Sequence, residues 1–260
     1  MGGRDGGAPL TSPAAGAAGA GRGGGPVRVA MWSGPRNIST AMMRSFGARA
    51  DTLVVDEPLY AHYLAVTGLD HPGREEILAS QPTDWREAAA ALTGPVPAGV
   101  DVFYQKHMTH HLLPDIGRDW LSDLTHAYLI RDPAYVVASY AKVRGTPTLD
   151  DVGFSAQIEI FRRYGGPVVD TADVLRDPAT VLAKLCEALG IGFDPAMLRW
   201  EPGRRDTDGV WAPHWYAAVE ASTGFAPYDP RPPEVPERLR GLVEEARPFY
   251  EEMAARRITA

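Results

Sequence analysis

Short apolar runs alternate with amphipathic stretches along most of the chain. Val27 to Trp32 reads as a first, buried strand. Thr52 to Val55, Asp101 to Lys106, Thr125 to Ile130 and the pair Val168-Val169 are further strand candidates. Ala41 to Phe46, Pro58 to Val66 and Trp85 to Leu92 read as helices between them. Asp132-Pro133 and Asp177-Pro178 each place an acid at the cap and a proline at the first helical position, so each predicts a helix start. After the second, Val181, Leu182, Leu185 and Leu189 form one apolar stripe, and Gly190 is a suitable terminator. Cys186 lies beside that stripe, where packing in the core is its expected role. The alternation predicts an α/β fold of three layers, a central and mainly parallel sheet with helices on both faces. Such sheets bind ligands beyond the carboxyl ends of their strands.

Composition narrows the picture. The chain has 260 residues, which suits one α/β domain. Its first 25 residues are a Gly/Ala/Pro tract with two arginines, too poor in apolar side chains to offset the entropy of ordering. The tract is read as a disordered tail, and residues 26–260 as a single domain. The tail has no apolar centre of the kind a secretory signal carries. The net charge of −7 argues against wrapping nucleic acid but leaves room for a local cationic pocket. Cys186 is the only cysteine, so no intrachain disulfide or cysteine zinc site is expected. No apolar run reaches the length of a bilayer span. The expected setting is the cytoplasm, with no membrane or nucleic-acid partner; oligomeric state is not legible.

The first strand candidate runs into Ser33-Gly34-Pro35-Arg36-Asn37-Ile38-Ser39-Thr40 and then a helix. A strand, a tight turn and a helix start form an anion site, because backbone N–H groups point outward and the helix dipole favours negative charge. Arg36 adds a forked cation, and Ser39 and Thr40 add hydroxyl donors. The Walker A pattern is absent. Pro35-Arg36-Asn37-Ile38-Ser39-Thr40 resembles the 5′-phosphosulfate loop of the sulfotransferases, often Pro-Lys-Ser-Gly-Thr-Thr, with Ile38 in place of its glycine; Arg36 is the expected catalytic cation at the phosphosulfate end, where charge grows in the transition state.

A second element lies further on. Arg131 ends a strand candidate, and Ser139 follows eight positions later in the helix begun by Pro133. At about 1.5 Å of rise per residue, Ser139 lies about 9 Å beyond Pro133. A long guanidinium and a helix hydroxyl can converge on one phosphate from these positions. The alternative is an ion pair between Arg131 and Asp132 or another nearby carboxylate. The run Leu129-Ile130-Arg131-Asp132-Pro133 through Ser139-Tyr140 resembles the sulfotransferase 3′-phosphate motif in residue types and spacing. Both motifs occur in the family's order, and the resemblance extends from about Val27 to Leu198. It implies a P-loop fold and 3′-phosphoadenosine-5′-phosphosulfate (PAPS) as sulfuryl donor, with the 3′,5′-bisphosphate PAP as product. It also implies a small-molecule acceptor and no metal. In the family a C-terminal loop closes over the nucleotide. Gly203-Arg204-Arg205-Asp206 occupies that place here, and Arg204 or Arg205 is the expected further phosphate contact. The run from Trp32 to Leu64 also resembles sulfotransferase-like proteins grouped with branched-chain aminotransferase-like sequences; no pyridoxal lysine motif is evident, so no aminotransferase activity is expected.

Two residues are candidates for the base. Lys106-His107 resembles the Lys-Thr-His segment of cytosolic sulfotransferases, in which His is the base and Lys contacts the sulfuryl bridge. Here the two residues are adjacent, which turns the imidazole to the other face if the strand continues. Glu57, in Asp56-Glu57-Pro58, resembles the Glu-Pro base of many bacterial sulfotransferases and ranks slightly ahead. The plainer reading of Asp56-Glu57 is a helix cap. His107, His110 and His111 lack the companions of a zinc site. Tyr60, His62, Tyr63, Trp211, Trp215 and Tyr216 are candidate pocket aromatics, although aromatics more often pack in cores. Two other classes remain open. One is a P-loop kinase or hydrolase with Asp56 on Mg²⁺, the other a non-catalytic PAP-binding module.

Overall fold

A computed structural model describes residues 25–260. The tail reading falls outside the described residues except for Gly25. Six strands form one parallel sheet: β1 (Val27–Ser33), β2 (Thr52–Asp56), β3 (Val102–Met108), β4 (Thr125–Ile130), β5 (Val168–Asp170) and β6 (Arg257–Ile258), in the order β2-β3-β1-β4-β5-β6. The intervening helices are α1 (Ser39–Gly47), α2 (Tyr60–Thr67), α3 (Arg74–Ser80), α4 (Trp85–Thr93), α5 (Pro133–Arg144), α6 (Leu149–Val152), α7 (Phe154–Tyr164), α8 (Thr171–Arg176) and α9 (Pro178–Ala188). Two short helices, α10 (Ala212–Trp215) and α11 (Ala217–Glu220), precede the long α12 (Arg240–Ala254).

The sheet is covered on both faces, and its central strands are nearly all buried. On one face Val29, Met31, Tyr104 and Leu129 pack with Met43 and Phe46 of α1, Leu64 of α2 and Leu182 and Leu185 of α9. On the other face Ala30, Trp32, Tyr128 and Ile130 pack with Ile158 and Phe161 of α7 and Met253 of α12. Cys186 is fully buried in the first of these layers. The predicted caps are present. Asp132 accepts from Ala134 N at 2.8 Å and Asp177 from Thr180 N at 3.0 Å, each followed by proline. Gly190, at φ 71°, ends α9 with Ile191 N bonded back to Cys186 O.

The structure adds helices that the sequence reading did not place, α3, α7 and α12 among them. The third strand continues two residues beyond Lys106, to Met108. The helix expected from Pro58 starts at Tyr60. A sixth strand of two residues closes the far edge, too short to leave a pattern.

β1 and β3 are neighbours in register, Met31 beside Lys106 and Trp32 beside His107. The crossover from β1 leads outward to β2, whereas that from β3 returns across β1 to β4. Adjacent strands whose connections depart in opposite directions leave a crevice at their carboxyl ends. Pro35 to Thr40, Glu57, Lys106, Arg131 and Ser139 meet there.

Candidate active site

The loop after β1 is shaped by close packing. A Cβ on Gly34 would lie 2.5 Å from Val152 O, so only glycine fits. Asn37 is buried and its Nδ2 donates to Leu129 O at 3.2 Å, tying the loop to β4. Arg36 and Ile38 stand at φ 63° and 21°, a region in which side-chain-bearing residues cost about 1–2 kcal/mol each. Ile38 thus holds a positive φ where the related motif has glycine. No side chain caps α1, so its leading N–H groups have no partner within the helix. Ser39 and Thr40 sit at this half-buried start.

The second element adjoins the first. Arg36 Nε donates to Ser139 Oγ at 2.9 Å, and Arg131 NH1 donates to Arg36 O at 2.7 Å. Asp132 is used elsewhere, as the α5 cap and at 3.6 Å from Arg247. Among the described residues no carboxylate lies within ion-pair distance of Arg36 or Arg131. Burial, and then the Arg36 charge, hold Arg131 below its ordinary pKa. Two adjacent guanidiniums without a counter-charge, beside a serine hydroxyl and a helix start, fit a phosphorylated anion.

A second polar group forms at the ends of β2 and β3. Lys106 is 1% exposed, and its Nζ donates to Asp56 Oδ1 at 2.8 Å, Glu57 Oε1 at 2.6 Å and Tyr216 OH at 2.8 Å. Burial opposes its charge, but the Asp56 and Glu57 carboxylates outweigh that and hold Lys106 well above its ordinary pKa. Asp56 Oδ2 accepts from Tyr216 OH at 2.7 Å and Gly209 N at 3.2 Å, so both of its oxygens are engaged. Glu57 stands at φ 41°, a strained backbone of the kind that concentrates at functional sites. Burial raises the Glu57 pKa against the pull of Lys106, and Asp56 adds to the rise. The carboxylate therefore gains basicity while keeping one oxygen anchored.

One cavity of about 440 Å³ joins both groups. Pro35 to Thr40, Arg131 and Ser139 line one part, and Glu57, Lys106, Tyr60, His111, Trp215 and Tyr216 another. The remaining predicted residues lie elsewhere. His107 is 1% exposed, points to the opposite face of β3 and stacks on Trp32 with centroids 4.4 Å apart. Its Nε2 is 3.2 Å from Gln105 Oε1, and burial takes its pKa down to about 3. Arg205 lines a separate cavity of about 730 Å³ between α1, β2 and residues 199–207. Arg204 is exposed and lines neither cavity. The structure does not bring these two arginines to Arg131 and Ser139. Among the candidate aromatics, His62 sits beside Thr83 O and Asp115, and Trp211 is in the core.

Sequence reasoning missed the Asp56–Lys106–Tyr216 hub. Register alone pairs Asp56 with Lys106. Tyr216, foreseen only as a pocket aromatic, comes from a segment 160 positions away, and nothing local ties it to Asp56. Arg44 and Asp208 were also missed; they form a buried two-pronged pair at 2.5 and 2.6 Å that anchors the C-terminal segment to α1.

Comparison with known proteins adds a context to this geometry. Residues 27–257 match the family described as Sulfotransferase domain. The sequence is 36% identical over 231 residues to branched-chain-amino-acid aminotransferase-like protein 1 of Arabidopsis thaliana, and 33% identical over 224 residues to protein 2 of the same name and organism. These alignments cover 86% and 84% of this chain but only 41% and 40% of the relatives, so the chain spans about two-fifths of their length. In structure it is similar to the sulfotransferase domain from the curacin biosynthetic pathway (TM-score 0.52, 15% identity, 90% of this chain and 99% of the other). It is also similar to that of the Synechococcus PCC 7002 olefin synthase (0.54, 16%, 90% and 97%). At such identities the likeness speaks for the fold.

Proposed function

Because the chain belongs to the sulfotransferase domain family, we propose that it moves a sulfuryl group from PAPS to a hydroxyl or amine of a small-molecule acceptor. The observation that carries this reading is the single cavity with two unneutralised guanidiniums at one part and a lysine-anchored glutamate at another. Residues 26–260 act as one domain in this reading, and its setting is the cytoplasm. No helix among the described residues is long and apolar enough to cross a membrane.

Arg131 and Ser139 hold the 3′-phosphate, which AMP and ATP lack, and Arg36 serves the phosphosulfate end, where charge grows in the transition state. The first turn of α1, with Ser39 and Thr40, receives the 5′-phosphosulfate end. The donor, when bound, supplies the activated sulfuryl group. Glu57 takes the proton from the acceptor hydroxyl, freeing an oxygen lone pair to attack sulfur in line. Lys106 and the N-terminus of α1 stabilise the charge that grows on the departing phosphate oxygen. In this assignment His107, stacked on Trp32 away from the cavity, supports the sheet.

A kinase or hydrolase would need Asp56 for Mg²⁺. That carboxylate is already held by Lys106, Tyr216 and Gly209 N. The deciding experiment offers labelled PAPS with a panel of hydroxylated and amine acceptors, beside calorimetry with PAP and with ATP plus Mg²⁺. Sulfated product and PAP binding support the reading. ATP turnover overturns it, and PAP binding without transfer to any acceptor points to a binding module.

A further inference from the structure

His111 is buried, lines the active-site cavity and has no task in the mechanism above. Its ring packs against Tyr60 and Tyr63 of α2, with centroids 4.5 and 4.7 Å away and interplanar angles of 15° and 30°. The two tyrosines are themselves 6.5 Å apart, and contact with both restricts the tilt of the imidazole and the direction of its edge. That edge presents Nδ1 to Glu57, 3.9 Å from Oε2. Nδ1 is buried and makes no hydrogen bond. The other carboxylate oxygen, Oε1, is tied to Lys106.

The gap is informative. A hydrogen on Nδ1 facing a buried carboxylate would form a charge-assisted bond of about 2.7–2.9 Å. At 3.9 Å no such bond is made, which fits a ring whose Nδ1 carries no proton. Nδ1 is then the unprotonated nitrogen of a neutral ring. Burial, followed by His110, His71, Lys106 and His107, holds the His111 pKa well below its ordinary value, in keeping with a neutral ring. A buried acceptor left without a donor costs about 1–3 kcal/mol. The same nitrogen gains a donor once Glu57 carries a proton.

We propose that His111 is a positioning residue for the Glu57 base, its Nδ1 accepting a hydrogen bond from Glu57 Oε2–H as the acceptor's proton arrives. The O–H bond of the acceptor breaks, an O–H bond forms on Glu57, and the imidazole receives a hydrogen bond without becoming charged. Lys106 keeps Asp56 and Tyr216 while Glu57 loses its charge, so the lysine is not stranded. The contact exists in the proton-loaded state and not in the resting one, which is the condition for lowering a barrier. The charged and titratable groups around the pair are Lys106 and Asp56 on the strands, Tyr60 and Tyr63 on α2, His71 after it, His110 beside it and Tyr216 opposite. This inference rests on Glu57 being the base.

Two substitutions isolate the nitrogen. His111→Phe keeps a ring against Tyr60 and Tyr63 and deletes Nδ1, and His111→Asn restores an acceptor near its place. In PAP-saturated protein, carbon NMR of the Glu57 carboxyl is expected to show its pKa falling by about one unit in His111→Phe and recovering in His111→Asn, because protonated Glu57 has lost and regained its acceptor. Nitrogen NMR of the parent is expected to find the His111 proton on Nε2. With an acceptor identified by the PAPS screen, kcat is expected to fall about 10- to 100-fold in His111→Phe with KM within two-fold, and its acid limb to move to lower pH. An unmoved Glu57 pKa, a proton on Nδ1, or a raised KM at unchanged kcat overturns the proposal. The underlying reading fails separately: if Glu57→Gln turns over at the parental rate, Glu57 is not the base at all.

Discussion

Arg36 Nε donates to Ser139 Oγ across 2.9 Å, joining residues 103 positions apart. The loop after β1 and the helix after β4 are therefore tied together, and they are the two halves of the proposed anion grip. Arg131, bonded to the carbonyl of Arg36, completes it.

The grip makes a prediction about nucleotide choice. PAP is expected to bind more tightly than AMP, because the 3′-phosphate is what Arg131 and Ser139 would hold. Losing one charge-assisted contact costs about 1.5–3 kcal/mol, so Arg131→Ala is expected to weaken PAP roughly 10- to 150-fold and AMP far less. Calorimetry on both proteins checks this. Equal affinity of the parent for PAP and AMP would rule out the grip.

Glu57→Gln keeps the shape of the side chain and its bond to Lys106 while removing the basic oxygen. Single-turnover rates are expected to drop about 10²- to 10⁴-fold, with PAP affinity within two-fold of the parent. A parental rate in this variant would move the proton to another group.

His107 makes a prediction about acid stability. Its pKa in the folded protein is about 3, against an ordinary 6.5. Between these values the unfolded chain binds a proton that the native protein refuses. The stability contribution is thus complete above about pH 6.5 and is lost as pH falls toward the folded value, by up to about 1.4 kcal/mol per pH unit. His107→Gln is expected to flatten the decline in urea midpoint between pH 6.5 and 4, and to leave sulfuryl transfer at neutral pH near the parental rate. A dead enzyme with a normal melting temperature would instead place His107 in the chemistry.

Lys106→Met leaves the Asp56 and Glu57 carboxylates close together without their shared cation. Breaking a buried pair in this way costs about 3–5 kcal/mol. Urea unfolding is expected to report a loss of that size at pH 7 and partial recovery at pH 5, where one of the carboxyls takes a proton. An unchanged midpoint at pH 7 would show that the lysine is not the counter-charge.

The sheet and both anion-binding elements were legible in the sequence because they are local. Apolar runs gave five of the six strands, and Asp-Pro pairs gave two helix starts with their caps. The facing of His107 turned on where β3 stops. Read as ending at Lys106, the strand says nothing about the next side chain; continued to Met108, it sends His107 to the other layer. The bonds of Asp208, Gly209 and Tyr216 left no signal because their partners Arg44 and Asp56 lie more than 150 positions away. No periodicity reports a contact of that span.

Asp56 also bears on the order in which the molecule assembles. Its two oxygens gather Lys106 from 50 positions away, Gly209 from 153 and Tyr216 from 160. Closing such long loops carries the chain-entropy cost that delays distant contacts in folding. During synthesis, β1 to β4 can pair while Lys106 still lacks its tyrosine and Asp56 lacks both C-terminal donors. The proton-handling corner of the cavity is thus finished only when residues beyond Gly209 have emerged and docked, so a chain stalled before them would carry a sheet without a working site.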